Sequence, residues 1–414
     1  MKPITIGLAC VISLAAAGLS QAATLSLDEA LQLAARQHPS VSVRLNQRVA
    51  ASDAVEGAQR SLWPSLAAQT GKDALGQDQI TLRLEQPLWT GGRLTAEIAA
   101  ANAKLQAADA LLTESRQDIM LRAASAYAEL GRAQDRQAAA ASNLAEHERL
   151  HALIQRRIAG QLTSGSDGIL AAARLAQARV ELSQWQALGA RSRAALEQIV
   201  GRPVEAIETA TSHPQEIGSL DLMLDAALSR SPVLRRLQAE EENAAAQTQV
   251  ARAQALPQVK LRHDQTQGGQ QAGGQTYVAL EYQTGAGFNI LTAMRQAESL
   301  RLAAKAEQEA ARRDLADAIS ADWAEWQSLN SQADALAAQV KASEQVYESF
   351  ARQYAVGRKS WLEVLNAQRE LTQARYLLAD VQWGALRTQL KLLLASGYIT
   401  ASISSDTIRP ERHD

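Results

Sequence analysis

Two spacings of apolar residues divide this chain. Apolar and small residues step by four and three through Leu94, Ile98, Ala101, Leu105, Ala108, Leu112, Ser115 and Ile119, and the stepping returns at Leu371, Ala374, Leu378, Val381, Ala385, Thr388 and Leu392. This is the seam of a coiled coil, in which alanine and polar residues let helix axes approach. Elsewhere the period falls to two. Ile80, Leu82 and Leu84 alternate with Gln79, Thr81, Arg83 and Glu85, and Val278, Leu280 and Tyr282 alternate with Tyr277, Ala279 and Glu281. Those segments predict strands with one apolar and one polar face. Weaker partners at 65–72 and 258–266, connected through Gly76 and through Gly268-Gly269 with Gly273-Gly274, complete two hairpins.

Proline marks where helices can run. None occurs between Pro87 and Pro203 or between Pro257 and Pro410, and both stretches are rich in Ala, Leu, Glu, Gln, Arg and Lys, the residues that lose least on entering a helix. A helix over 94–159 would span about 100 Å at the standard rise, beyond any ordinary globular core. Gly160 and Gly357 are the expected helix stops, each followed by a returning helix. A shorter helix opens each half, over about 27–62 and 220–256, ended by Pro64 and Pro257.

The two halves are copies. Ser26-Leu27-Asp28 recurs as Ser219-Leu220-Asp221, Pro39 as Pro232 and Trp63-Pro64 as Leu256-Pro257, all 193 residues on. Gln177-Ala178-Arg179 recurs as Gln373-Ala374-Arg375, 196 residues on. The expected organisation is a signal segment (1–22), a first unit (23–200) with a β-hairpin at 65–88 and a helical hairpin at 92–200, and a linker (201–218). A second unit (219–398) follows, with a β-hairpin at 258–284 and a helical hairpin at 288–396, and then a polar tail (399–414).

Composition narrows the class. Lys2, the apolar run from Ile4 to Leu19, and Ser20 and Ala22 predict an exported chain cleaved after Ala22. Cys10, the one cysteine, lies inside that run, and lipidation there is the alternative. Without it the mature chain has no thiol for a disulfide, a zinc ribbon or a nucleophile. A net charge of −2 with interspersed signs argues against nucleic acid. Two Phe in 414 residues fit close helix packing and not a thick aromatic core.

Beyond the signal segment nothing approaches the roughly 20 apolar residues of a membrane helix, so any membrane span must be β. Strands of about 9–11 residues suit a tilted membrane strand. Ile80, Leu82, Leu84, Val278, Leu280 and Tyr282 are the candidate lipid-facing residues, and Trp63, Trp89 and Phe288 a candidate aromatic girdle. The alternative is a soluble β-layer capping a coiled coil. Four strands cannot close a barrel, and an open edge in lipid strands backbone groups. Two chains would give eight strands with a filled interior, whereas three give twelve and an aqueous lumen.

Candidate catalytic signals are sparse. His147-Glu148-Arg149-Leu150-His151 matches the zinc-protease pattern of two His one turn apart with a Glu base, but it sits in a long charged helix with no third ligand at metzincin spacing, and two solvated histidines are the competing expectation. Gly285-Ala286-Gly287 lacks a dinucleotide-binding context, and no Ser-His-Asp arrangement is identifiable. Neither an enzyme nor a cofactor is expected.

A duplicated unit of helix, hairpin, long helix, turn and returning helix resembles the TolC family of outer-membrane channel tunnels. The most specific segments are Gln86-Pro87-Leu88-Trp89-Thr90-Gly91-Gly92 and Gly357-Arg358-Lys359-Ser360-Trp361-Leu362-Glu363-Val364-Leu365-Asn366-Ala367-Gln368. The resemblance implies an α+β membrane protein: a homotrimeric 12-stranded β-barrel in outer-membrane lipid, continued by a periplasmic coiled-coil tunnel. It implies as partners a periplasmic adaptor (membrane fusion) protein and an inner-membrane ABC or other transporter. The second turn, with 282–287 and 321–326, most resembles the branch serving type I secretion of large repeat adhesins. A drug or metal efflux channel and a non-channel periplasmic coiled-coil protein are the alternatives. The resemblance also places a tunnel entrance at Glu363 and Asn366, positions commonly acidic in the family. Three copies of Glu363 would form a cation-favouring ring, and Lys359 would pair with Asp167 at the first turn as a closing link.

Overall fold

A computed structural model describes residues 24–72, 75–208, 216–268, 273–283 and 289–400. The signal segment, Phe288, the 285–287 junction, part of the linker and the tail lie outside the described residues. Eight helices and four strands follow in order among them: α1 (Leu27–Gln37), α2 (Pro39–Arg60), β1 (Ser65–Lys72), β2 (Asp78–Trp89), α3 (Arg93–Ala159) and α4 (Gly165–Val200). The second copy gives α5 (Leu220–Arg230), α6 (Pro232–Gln254), β3 (Gln258–Gln267), β4 (Gly273–Glu281), α7 (Ile290–Ala355) and α8 (Trp361–Ala395).

The single opening helix expected in each half is two helices. Pro39 and Pro232 occupy the first helical position of α2 and α6, and the residues before them are extended, His38 at ψ 132° and Ser231 at ψ 122°. Proline disfavours the helical conformation of its predecessor. Each of those residues then caps the helix it starts: His38 Nδ1 accepts from Ser40 N at 3.2 Å and Ser231 Oγ from Leu234 N at 3.3 Å.

The strands form one antiparallel sheet, ordered β1-β2-β3-β4, so the hairpins of the two copies join along β2 and β3. At the end of β2, Gly91 and Gly92 take φ of +63° and +86°, the left-handed conformation that turns strand into helix. A Cβ on Gly91 would lie 3.0 Å from the Leu256 side chain just beyond α6, a tight contact that adds to the preference for glycine. The helical hairpins then run away from the sheet, and α3 and α7, at 67 and 66 residues, each span about 100 Å.

The largest core lies partway along the helices, where Leu25, Leu31, Met120, Tyr127, Leu196, Trp383 and Leu390 pack together. Leu25 pairs with Ile207 in an isolated parallel bridge, and the Tyr127 hydroxyl stands 3.1 Å from Leu25 O and 2.7 Å from Glu208 O. The start of the first copy is thereby stitched to the chain that leaves it. A second cluster, containing Leu150, Ile154, Tyr347, Tyr354, Trp361 and Val364, packs the ends of the helical hairpins. No helix among the described residues is long and apolar enough to cross a membrane.

Candidate channel wall and entrance

The register sorts the sheet into two faces. Ile80, Leu82 and Leu84 share one with Leu66 of β1, Val259 and Leu261 of β3, and Val278 and Leu280 of β4. Ile80, Leu82, Leu84, Val278, Leu280 and Tyr282 are all more than 40% exposed, apolar groups that the chain itself leaves uncovered. Trp63 and Trp89, 72% and 49% exposed, lie at the sheet end nearest the helices. The apolar alternation does not run the length of β3, where His263 and Gln265 sit opposite Leu84 and Leu82, and His263 Nδ1 lies 2.7 Å from Thr276 Oγ1.

The opposite face is ionic. Arg83 grips Asp264 with two bonds, at 2.8 and 3.1 Å, and Tyr277 donates to the same carboxylate at 3.1 Å. One step along, Arg262 bridges Glu85 (2.7 Å) and Glu281 (2.9 Å), and Lys260 spans the same two acids at 2.9 and 3.1 Å. Three cations and three anions thus lock β2, β3 and β4 in register. Bidentate guanidinium pairs fix geometry as well as charge. A chain that alternates Leu with Arg and Glu along a strand carries this signal in its sequence. The partner assignments need the register.

At the far end, the two turns differ. In the first, α3 stops at Ala159, but Gly160 has an ordinary φ of −82° and Gln161 takes the left-handed φ of 58° instead. In the second, Gly357 does adopt φ 76°. Asp167 accepts from Thr163 Oγ1 (2.5 Å) and Ser164 Oγ (3.1 Å), within its own turn. Glu363 closes a reciprocal capping box with Ser360, accepting from Ser360 N at 2.9 Å while its own N–H donates to Ser360 Oγ at 3.3 Å. Lys359 Nζ sits 2.5 Å from the other Glu363 oxygen and 4.3 Å above the Phe350 ring.

The anticipated Lys359–Asp167 link is therefore replaced by a Lys359–Glu363 pair four residues apart, because the capping box already turns the Glu363 carboxylate back toward the start of α8. Lys359 and the Ser360 donors hold the Glu363 carboxyl down at about 2, and Thr163 holds Asp167 below the usual carboxylate range. Glu363 carries its charge beside a cation, so it is not the bare acid that the ring expectation assumed. Asn366, one turn along, is exposed and borders a groove with Arg174, Gln177 and Arg369. The Ser360-x-x-Glu363 spacing made the capping box legible in advance; the groove depends on helix packing and was not.

The geometry describes a sheet with a bare apolar face and an ionic face, joined to helical hairpins about 100 Å long. The family model described as "Outer membrane efflux protein" matches residues 13–202 and 223–398, nearly the whole chain. The chain belongs to this family. Protein CyaE of Bordetella pertussis is 30% identical over 253 residues, which cover 57% of this chain and 53% of that protein. Among solved structures, the outer membrane protein VceC of Vibrio cholerae matches with a TM-score of 0.78 at 22% identity, covering 90% of this chain and 96% of VceC. The outer-membrane channel OprN matches with a TM-score of 0.81 at 19% identity, covering 90% of this chain and 89% of OprN.

As a family member this is an outer-membrane channel protein and not an enzyme, with a periplasmic helical tunnel. Its fold is that of the trimeric channel tunnels, each chain giving four strands to the barrel. Against that frame the His147–His151 segment acquires a different meaning. Glu148 faces Arg179 at 3.5 Å, Leu150 is buried, and His151 lies 3.3 Å from Gln155. His147 is half-buried in the groove, not solvated as expected, and burial together with Arg174 pushes its pKa down. Among the described residues no cluster of three or more His, Cys, Asp or Glu side chains is placed to hold a metal.

Proposed function

We propose that this protein is the outer-membrane conduit of a type I secretion assembly, passing an exported protein such as a large adhesin. The observation that carries the reading is the second turn and its helix, 357–368, whose sequence resembles the secretion branch of the family. The conduit is passive: energy comes from an inner-membrane ABC transporter, coupled through a periplasmic adaptor. The apolar face of Ile80, Leu82, Leu84, Val278, Leu280 and Tyr282 meets lipid, with Trp63 and Trp89 at its periplasmic border. The ionic face lines the lumen, the arrangement that membrane barrels use.

The turns form the entrance. Asp167, Lys359, Glu363 and Asn366 line its narrowest part, and the Lys359–Glu363 pair stiffens the second turn. Exposed pairs contribute only about 0–1 kcal/mol, which suits a closure that partner proteins open. Replacing Lys359 with Gln uncovers the Glu363 charge, raising cation selectivity and resting conductance in planar bilayers.

Deleting the gene tests the secretion reading. Loss of a surface-displayed or released large protein, with unchanged tolerance of small toxic compounds, is the expected result. Intact protein export with heightened sensitivity to such compounds would contradict it and favour a drug or metal efflux pump, in keeping with the word efflux in the family description.

A further inference from the structure

Near the entrance end, α4 and α8 border a groove of about 120 Å³ that Asn143 and His147 of α3 also line. A water occupies about 30 Å³ of liquid, so the space admits a small polyatomic group with its hydration partly stripped. Arg174 enters from α4 and Arg369 from α8. Neither has a carboxylate within ion-pair distance among the described residues, and Arg174 donates only to Gln177, at 2.9 Å.

Neighbouring arginines on the same two helices are treated differently. Arg179 reaches Glu148 at 3.5 Å, and Arg375 reaches Glu344 at 2.7 Å. The one acid bordering the groove, Glu181, lies toward Gln177, whose amide donates to it at 3.2 Å. Asn366 and Gln373 border the same space, each with an amide not engaged in a side-chain hydrogen bond among the described residues. Burial, and after it the charge of Arg174, pushes the His147 pKa down, against an opposing pull from Glu146.

We infer that this groove is an oxyanion site, in which a carboxylate or phosphate group sits between Arg174 and Arg369 and accepts from the Asn366 amide. Guanidinium groups suit both anions because their paired N–H groups match two oxygens at once. The source is either a free small anion or an acidic side chain on a protein segment.

Two probes separate these sources on the full-length protein in mild detergent, titrated calorimetrically at low ionic strength: pyrophosphate and a hexaglutamate peptide. Saturable binding of pyrophosphate assigns the site to free anions, and binding of the peptide alone assigns it to acidic segments. In either case Arg174→Gln and Arg369→Gln each weaken binding by about tenfold, the scale of one charged hydrogen bond. Arg174→Lys and Arg369→Lys, which keep the charge without the fork, fall between. Both arginines are exposed, so native mass and helical circular dichroism are expected to stay unchanged in every variant. Binding of neither probe, or binding that persists undiminished in the folded Arg174→Gln/Arg369→Gln double variant, overturns the assignment. Because the readout is binding by the purified protein, it is separable from the identity of the cargo.

Discussion

The long helices α3 and α7 are the same element in two copies of one unit, yet the chain treats them oppositely. Of α3's 67 residues, 18 are buried, because α1, α2, α4, α6 and α8 all pack on it. Of α7's 66, four are buried, and Leu291, Leu300, Leu302 and Val346 stand exposed along it. Equal length with unequal burial separates two jobs. The first copy supplies the spine of the protomer, and the second presents a long surface that the chain itself leaves uncovered. Duplication gave both helices the same reach, and divergence assigned them different partners.

The strongest way to break this comparison is to remove bulk from each helix in turn. Leu130→Ala or Ile154→Ala in α3 empties a fully buried site and is expected to cost about 2–5 kcal/mol of protomer stability. Leu300→Ala in α7 should change protomer stability by less than about 0.5 kcal/mol while weakening assembly. Chemical denaturation followed by circular dichroism reads the first, and native mass in detergent reads the second. Equal protomer destabilisation by both would erase the distinction.

Glycines facing the two helices sharpen it. A Cβ on Gly131 of α3 would fall 2.2 Å from the Trp383 ring, so Gly131→Ala is expected to destabilise by about 1–3 kcal/mol. Gly384 of α8 faces α7, and there a Cβ would meet Leu329 at a comfortable 3.6 Å. Gly384→Ala should therefore stabilise by about 0.5–1 kcal/mol through helix propensity. Thermal melting of the two variants in one detergent compares them directly.

Tyr127→Phe probes the stitch that, among the described residues, the first copy alone has. The corresponding residue 196 positions on is Trp323, half-buried beside Trp326 and without that hydroxyl. Leaving Leu25 O and Glu208 O without the phenol is expected to cost about 1–3 kcal/mol. Denaturant midpoints that match wild type would show that water replaces it fully.

The smallest contrast is between the turns, and pH reads it. Glu363 has its carboxyl pKa lowered to about 2 in the fold, from an ordinary 4.5. The native state therefore takes up the proton later than the unfolded chain does, and stability falls as the proton binds. The contribution is complete above about pH 4.5 and disappears as pH drops through about 2. Glu363→Gln should flatten stability over that window. Asp167 is also lowered, but by Thr163 and Ser164 with no cation, so Asp167→Asn should flatten it less.

Much of this was readable in the sequence. Periods of two and of three to four located strands and helices because each element buries or exposes a face at its own repeat. Internal repetition gave the duplication, and Gly91-Gly92 the strand-to-helix corner. What failed did so where local chemistry competed with the broad pattern. Pro39 and Pro232 were used as repeat landmarks when they also break their helices. Lys359 was matched with a distant acid although Glu363 lay one turn away, already oriented by Ser360. The α4/α8 groove was illegible because Arg174 and Arg369 are 195 positions apart and meet only through helix packing.

The central claim is that α7 is bare because three chains complete the wall together. Light scattering on the full chain in mild detergent, corrected for bound detergent, tests it most directly. A protein mass of three chains is expected, falling to one chain in a Leu300→Arg/Leu302→Arg variant that keeps its helical content. A wild-type protein that is a stable monomer and still conducts ions in planar bilayers would contradict the account.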